Sequence, residues 1–325
     1  MSGKFIQQQS YFSHLLYQWF FIEFVRLFIN LLSTGRFGNL SEHFTQTFQY
    51  YPNTMVHGYW STTDYSRNRY RCKRVRKYHN KVKLDTLNGI LKPGSTVLDL
   101  CCGRGVDLYK YHTLRASYVY YVDRDKVALQ HAICSYRKLY SHDFHMHFSL
   151  CDVTSVNLQT EIQRRSSVVN FDIVVIHMAI HYFLGSTITA HDFLSKSVPF
   201  VTTGGYFVFS GIDGHKLHNM LQMEEEKKLT IRDACGSIIA QYQALYTENE
   251  IRNTGQKIST FISSIGKTHE EYLLNFDHLI RVIGRYFGMI LIEDMYFTDY
   301  GCPYIDTDEF VMSSLHRICI FKKIN

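Results

Sequence analysis

The chain has 325 residues, 46% of them hydrophobic and 20% charged, with only four prolines, which excludes a collagenous, low-complexity or largely disordered protein. A formal charge of +6 suits an anionic ligand without requiring one. The eight cysteines show no paired zinc-type spacing, so reduced thiols in an intracellular protein, and no metal site, are expected.

In chain order, residues 11–32 come first, YFSHLLYQWFFIEFVRLFINLL. A bilayer span wants about 20 nearly uncharged apolar residues. Here His14, Gln18, Glu23, Arg26 and Asn30 mark one polar stripe of a helix. The expectation is an amphipathic helix packed on the main domain or binding a partner protein, with membrane association disfavoured. The stretch also lacks the charged start and small-residue cleavage site of a signal peptide. Residues 33–66 read as a connection, so residues 1–50 are an N-terminal helical extension and 51–325 one domain.

Residues 67–83, RNRYRCKRVRKYHNKVK, are strongly basic, interleaved with aromatics and free of acids, a pattern suited to nucleic acid or to a solvated helix face. The pattern predicts a helix over 68–91, ended by Lys92-Pro93-Gly94. Next come a strand at Ser95–Leu100, a turn at Cys102–Gly105 and a helix from Val106 to Tyr111. A second strand ends at Asp123, with a helix over about 125–139, and a third ends at Asp152. The fourth is Phe171–His177; a helix near 190–200 precedes the fifth, YFVFSG. Strands alternating with helices mean an α/β fold, a mainly parallel sheet with helices on both faces.

Past Gly211 the order changes, and about 215–265 reads as an insertion. EEEKK at 224–228 suggests a solvated helix, IIAQYQALYTENE and QKISTFISSIG two antiparallel strands, and THEEYLLNFDHLIRVIGRYFG one amphipathic helix. LHRICIFKK is the last strand.

Ligands of an open α/β sheet lie at the carboxyl ends of its strands. Asp99, Asp123 and Asp152 all stand there, although each alone suits a helix or turn cap equally well. Gly103 lets the backbone approach a ligand, and Asp123, 20 residues on, is placed to accept from ribose hydroxyls. Asp152 would meet an adenine amino group. An acid there without a complete phosphate-cradling G-x-G-x-x-G favours S-adenosylmethionine over a dinucleotide.

The segments Arg76–Lys83, Val97–Lys110, Ile176–Tyr182 and Glu270–Leu274 occur in that order, and the chain over roughly 67–321 resembles the mRNA cap guanine-N7 methyltransferases. The resemblance implies a Rossmann-like class I methyltransferase fold in which the insertion helps cover the cap guanine. It implies Lys83 on the cofactor carboxylate, Cys101 in place of a loop glycine, and His177 and Tyr182 facing the cofactor, beside Asp99, Gly103, Asp123 and Asp152. It implies His79, Asn80, His181 and Glu271 at the guanine, Glu271 reading its Watson–Crick edge, and Arg104 and Lys110 near the cap phosphates. His79, His177 and His316 depart from an asparagine, a glutamine and a stacking tyrosine. The implied reaction needs no acid–base residue, because N7 already carries a lone pair. Capped RNA would be the substrate, a capping-pathway protein a candidate partner of the N-terminal helix, and the location nuclear if cellular, host cytoplasm or nucleus if viral. A methyltransferase for another acceptor, or a non-catalytic RNA-binding capping subunit, is the alternative.

Overall fold

The computed structural model describes residues 72–139, 144–304 and 307–324. The expected helix at 11–32 and the basic residues Arg67, Arg69 and Arg71 lie outside the described residues. The described basic helix is α1, Lys73–Ile90.

A seven-stranded sheet follows. β1 is Thr96–Leu100, β2 Tyr118–Asp123, β3 His145–Leu150, β4 Phe171–His177 and β5 Val201–Ile212. β10, Met289–Tyr296, and β11, His316–Lys323, complete it in the order β10-β11-β5-β4-β1-β2-β3. The first five run parallel, and β11 lies antiparallel between β5 and β10. This is the expected α/β architecture. The third strand stops at Leu150, so Asp152 sits two residues beyond it in the following turn, where Thr154 bonds it.

The sheet is buried on both faces because its strands carry apolar residues at both parities. Val97, Tyr121, Val175, Val208 and Ile318 point to one core with α1 and with α3, Lys126–Arg137. Leu98, Val122, Val174, Phe209 and Cys319 point to the other. That second core is closed by α4, Leu158–Arg165, α5, Thr187–Ser197, and α7, Phe276–Phe287. The strand order reverses between β1 and β4, which opens a crevice at their carboxyl ends.

The insertion begins with α6, Gly214–Met223, and continues as a four-stranded antiparallel sheet. Its strands are β6, Lys228–Arg232, β7, Ile238–Ala244, β8, Lys257–Ile262, and β9, Thr268–Tyr272. Three expectations are corrected here. The acidic run forms only a short 3-10 turn, Glu225–Lys227, that leads into β6. Residues 268–288 are not one helix: β9 pairs with β8, and α7 starts after Asn275, whose side chain accepts from the His278 N–H at 2.9 Å. That cap resets the chain from period 2 to period 3.6. The insertion therefore reaches Tyr272 rather than 265, and β10 was not read from the sequence.

Candidate functional site

A cleft of about 840 Å³ opens at the strand-reversal point. Lys83, Asp99, Cys101, Gly103, Arg104, Asp123, Asp152, His177 and Tyr182, all expected at the site, line it.

The turn after β1 has Cys101, Gly103 and Gly105 in left-handed conformation, with φ 58°, 55° and 71°. A Cβ at Gly105 would meet the Ala132 Cβ at 2.8 Å, so this glycine also permits the close approach of α3. Cys101 bears the strain of a side chain in that region. Burial, with Asp123 and Asp99 nearby, pushes its thiol well up, so it stays protonated.

Asp123 ties the turn to β2. Its Oδ2 accepts from the Gly103 N–H at 2.6 Å and its Oδ1 from the Asp125 N–H at 2.7 Å. Each carboxylate oxygen keeps a second lone pair for the cleft. Burial raises this carboxyl, against the two backbone donors. Asp152 accepts from the Thr154 N–H at 2.9 Å and hydroxyl at 2.6 Å, and Arg124 stands 3.8 Å away. Asp99 is deeper: Tyr111 donates to it at 2.9 Å, and burial beside Asp107 pushes its carboxyl well above the usual range.

Asp107 stands just before α2, Leu108–Thr113, and was not singled out in the sequence, although it lies inside the Val97–Lys110 motif. Lys83 and Lys110 close on it at 2.7 and 2.6 Å. Burial alone would raise the Asp107 carboxyl, but the two ammonium groups hold it below the usual carboxylate range. Lys110 also donates to Asn80 Oδ1 at 2.7 Å and is itself buried. Its charge is thus engaged inside the fold, with Asp107 and Asn80, and Asn80 further donates to the Arg76 carbonyl at 2.9 Å.

His177, at the end of β4, holds its Nδ1 2.8 Å from the Ser210 hydroxyl, while its Nε2 is buried without a hydrogen-bond partner. Burial, then Lys83, pushes it down to about 3. The 3-10 turn Ile180–Phe183 after β4 brings the half-buried His181 against the buried Glu271 of β9, Nε2 to Oε1 3.6 Å. Burial lowers the His181 pKa despite Glu271. Tyr182 packs on His181 with ring centroids 4.1 Å apart. Glu271 sits on a strand rather than at a helix start, and it is buried.

His79 joins a separate cluster: its Nε2 lies 2.9 Å from the Ser313 hydroxyl and its ring 4.4 Å from that of His316. His316 is buried, with Nδ1 2.7 Å from the Met312 carbonyl, and burial pushes it down to about 4. The sign of the pH effect follows. Between about 4 and about 6.5 the unfolded chain takes up a proton at this residue that the folded chain refuses. Its stabilisation is full above about pH 6.5 and is lost as the pH falls. The stability gap between wild type and His316→Gln should narrow by roughly 2–3 kcal/mol from pH 7 to 4.5, read by urea melts. A gap independent of pH would show that His316 is not held neutral.

The donor set fits S-adenosylmethionine: strand-end carboxylates for hydroxyls and an amino group, Lys83 for a carboxylate, and an orphaned His177 Nε2. The sequence also matches the family described as mRNA (guanine-N(7))-methyltransferase domain over residues 50–318. An mRNA cap guanine-N(7) methyltransferase of Caenorhabditis briggsae is 33% identical over 133 residues, 40% of this chain and 34% of that protein. That of Drosophila melanogaster is 22% identical over 243 residues, 70% and 55% of the two chains. An African swine fever virus mRNA-capping enzyme is 24% identical over 221 residues, 63% of this chain and 25% of its own. The chain thus spans about a quarter to about half the length of these relatives. In fold it is similar to an S-adenosylmethionine-dependent methyltransferase from Clostridium acetobutylicum, with a TM-score of 0.50 at 14% identity over 76% of this chain and 91% of that one.

Proposed function

Because this chain belongs to the mRNA (guanine-N7)-methyltransferase family, we propose that it transfers a methyl group from S-adenosylmethionine to N7 of the guanine cap of mRNA. The observation that carries this reading is the convergence of Asp123, Asp152 and Lys83 on one cleft beside the His181–Glu271 pair.

Bound S-adenosylmethionine supplies an electrophilic methyl on a sulfonium; that C–S bond breaks as N7 bonds the carbon, and the electron pair stays on sulfur. No proton moves, so no residue acts as acid or base. Asp123 would hold the ribose hydroxyls, Asp152 the adenine amino group and Lys83 the methionyl carboxylate, with Asp99, Cys101 and Gly103 shaping the turn and Tyr182 the wall. Glu271 would accept from the guanine ring N–H and exocyclic amine, with His181, Asn80 and His79 on the acceptor side. Arg104 would place positive charge toward the cap phosphates, and Lys110, its charge engaged by Asp107, would hold Asn80 in place. Alignment of this kind is worth about 7–11 kcal/mol of a barrier. The exposed Lys73, Lys77 and Lys81 of α1 give RNA a basic approach.

Residues 1–50 are read as an extension that engages a capping-pathway protein, 51–325 as the methyltransferase domain, and the location as intracellular. Labelled methyl transfer to capped and to triphosphate-ended RNA of one sequence tests the reading, and only the capped RNA should take up label.

A further inference from the structure

His177 and Ser210 are cross-strand partners in the β4–β5 register. Ser210 is fully buried, and its carbonyl accepts the Met178 N–H at 2.9 Å, so the two strand ends cannot slide apart without breaking that bond. Its hydroxyl lies 2.8 Å from His177 Nδ1. The other ring nitrogen, Nε2, is buried at the cleft wall and has no hydrogen-bond partner. A neutral imidazole has one N–H and one lone pair, so what Ser210 does at Nδ1 decides what Nε2 presents.

The surroundings choose between the two tautomers. Lys83 and Lys110 share the single carboxylate of Asp107, and burial beside Asp107 pushes the Asp99 carboxyl up. The two lysines and Asp107 together carry one uncompensated positive charge, and Lys83 acts on His177 more strongly than Asp107 does. A lone pair on Nε2 is favoured toward positive charge and an N–H is not, which leaves the proton on Nδ1 with the Ser210 oxygen as its acceptor. Burial and Lys83 together keep the ring from taking a second proton at neutral pH.

We propose that Ser210 is a positioning residue that holds the proton of His177 on Nδ1 and thereby presents the Nε2 lone pair to the ammonium group of the methionyl end of the cofactor. The inference rests on the S-adenosylmethionine reading of the cleft. It completes the zwitterion: the carboxylate end goes to Lys83 and the ammonium end to Nε2. The ribose and adenine contacts, at Asp123 and Asp152, are independent of it.

Two ligands separate these parts. S-adenosylhomocysteine carries the amino-acid end; 5′-methylthioadenosine has the same nucleoside and thioether without it. Calorimetry on the full chain should show Ser210→Ala binding S-adenosylhomocysteine about 10-fold or more weakly, the value of one charge-assisted hydrogen bond, with 5′-methylthioadenosine unchanged. Nitrogen-15 spectra of the histidine rings should show wild-type His177 protonated on Nδ1 and the variant shifted toward the Nε2 form. Equal weakening of both ligands would reduce Ser210 to a packing role and overturn the inference. So would unchanged affinity for both, or a wild-type His177 protonated on Nε2. Failure of the wild-type protein to bind either ligand would instead remove the cofactor site, and the inference with it.

Discussion

Asp123→Ala is expected to weaken S-adenosylhomocysteine binding by 100-fold or more. Two effects act together. The carboxylate would accept from two ribose hydroxyls, each charged hydrogen bond being worth about 1.5–3 kcal/mol. It also takes the Gly103 and Asp125 N–H groups, so alanine leaves two backbone donors unpaired and loosens the turn that faces the ligand. Asp123→Asn separates the two: it keeps one acceptor for a backbone donor but turns an amide NH₂ toward another donor. It should fall between wild type and alanine in affinity while melting closer to wild type. Calorimetry beside thermal melts reads both, and wild-type affinity in the alanine variant would place the nucleoside elsewhere.

Glu271→Gln is expected to spare cofactor binding and cut methylation of capped RNA by roughly 10- to 100-fold. The carboxylate accepts two donors from guanine; the glutamine amide accepts one and must face the other with an NH₂ group. Transfer also leaves the guanine cationic, so the lost charge weakens the product-like transition state more than the ground state. The effect should therefore appear in kcat as well as in KM. Glu271 lies on β9 and 3.6 Å from His181, so a change in the midpoint of unfolding larger than the change in rate would mark it as a structural partner of His181. Full activity in the variant would end its role as the guanine reader.

The parallel sheet was legible because its strands are short apolar runs punctuated by Gly, Pro and Asp, and β4 falls on the expected residues Phe171–His177. The acids lining the cleft, Asp99, Asp123 and Asp152, were legible for the same reason: a strand-end acid needs no long-range information. Legibility failed where local pattern and tertiary pairing disagree. Glu270-Glu271-Tyr272-Leu273-Leu274 reads as helix by propensity, yet pairing with β8 and the bridge of Leu274 to Asp213 draw it into extended form. β10 was missed because its alternation, with Ile290 and Ile292 exposed, mixes apolar residues onto an open face. Asp107 and Ser210 carry no local signal, since their meaning comes from Lys83, Lys110 and His177 being brought to them by other elements.

The most direct test of the central claim is the position of the transferred methyl. Capped RNA is incubated with the protein and S-adenosylmethionine, digested with nucleases that spare the cap, and analysed by mass spectrometry. The cap fragment should gain one methyl group and co-elute with the 7-methylguanosine standard, with internal nucleosides unmodified. A methyl found on an internal base or on a ribose, with the cap guanine unchanged, would contradict it.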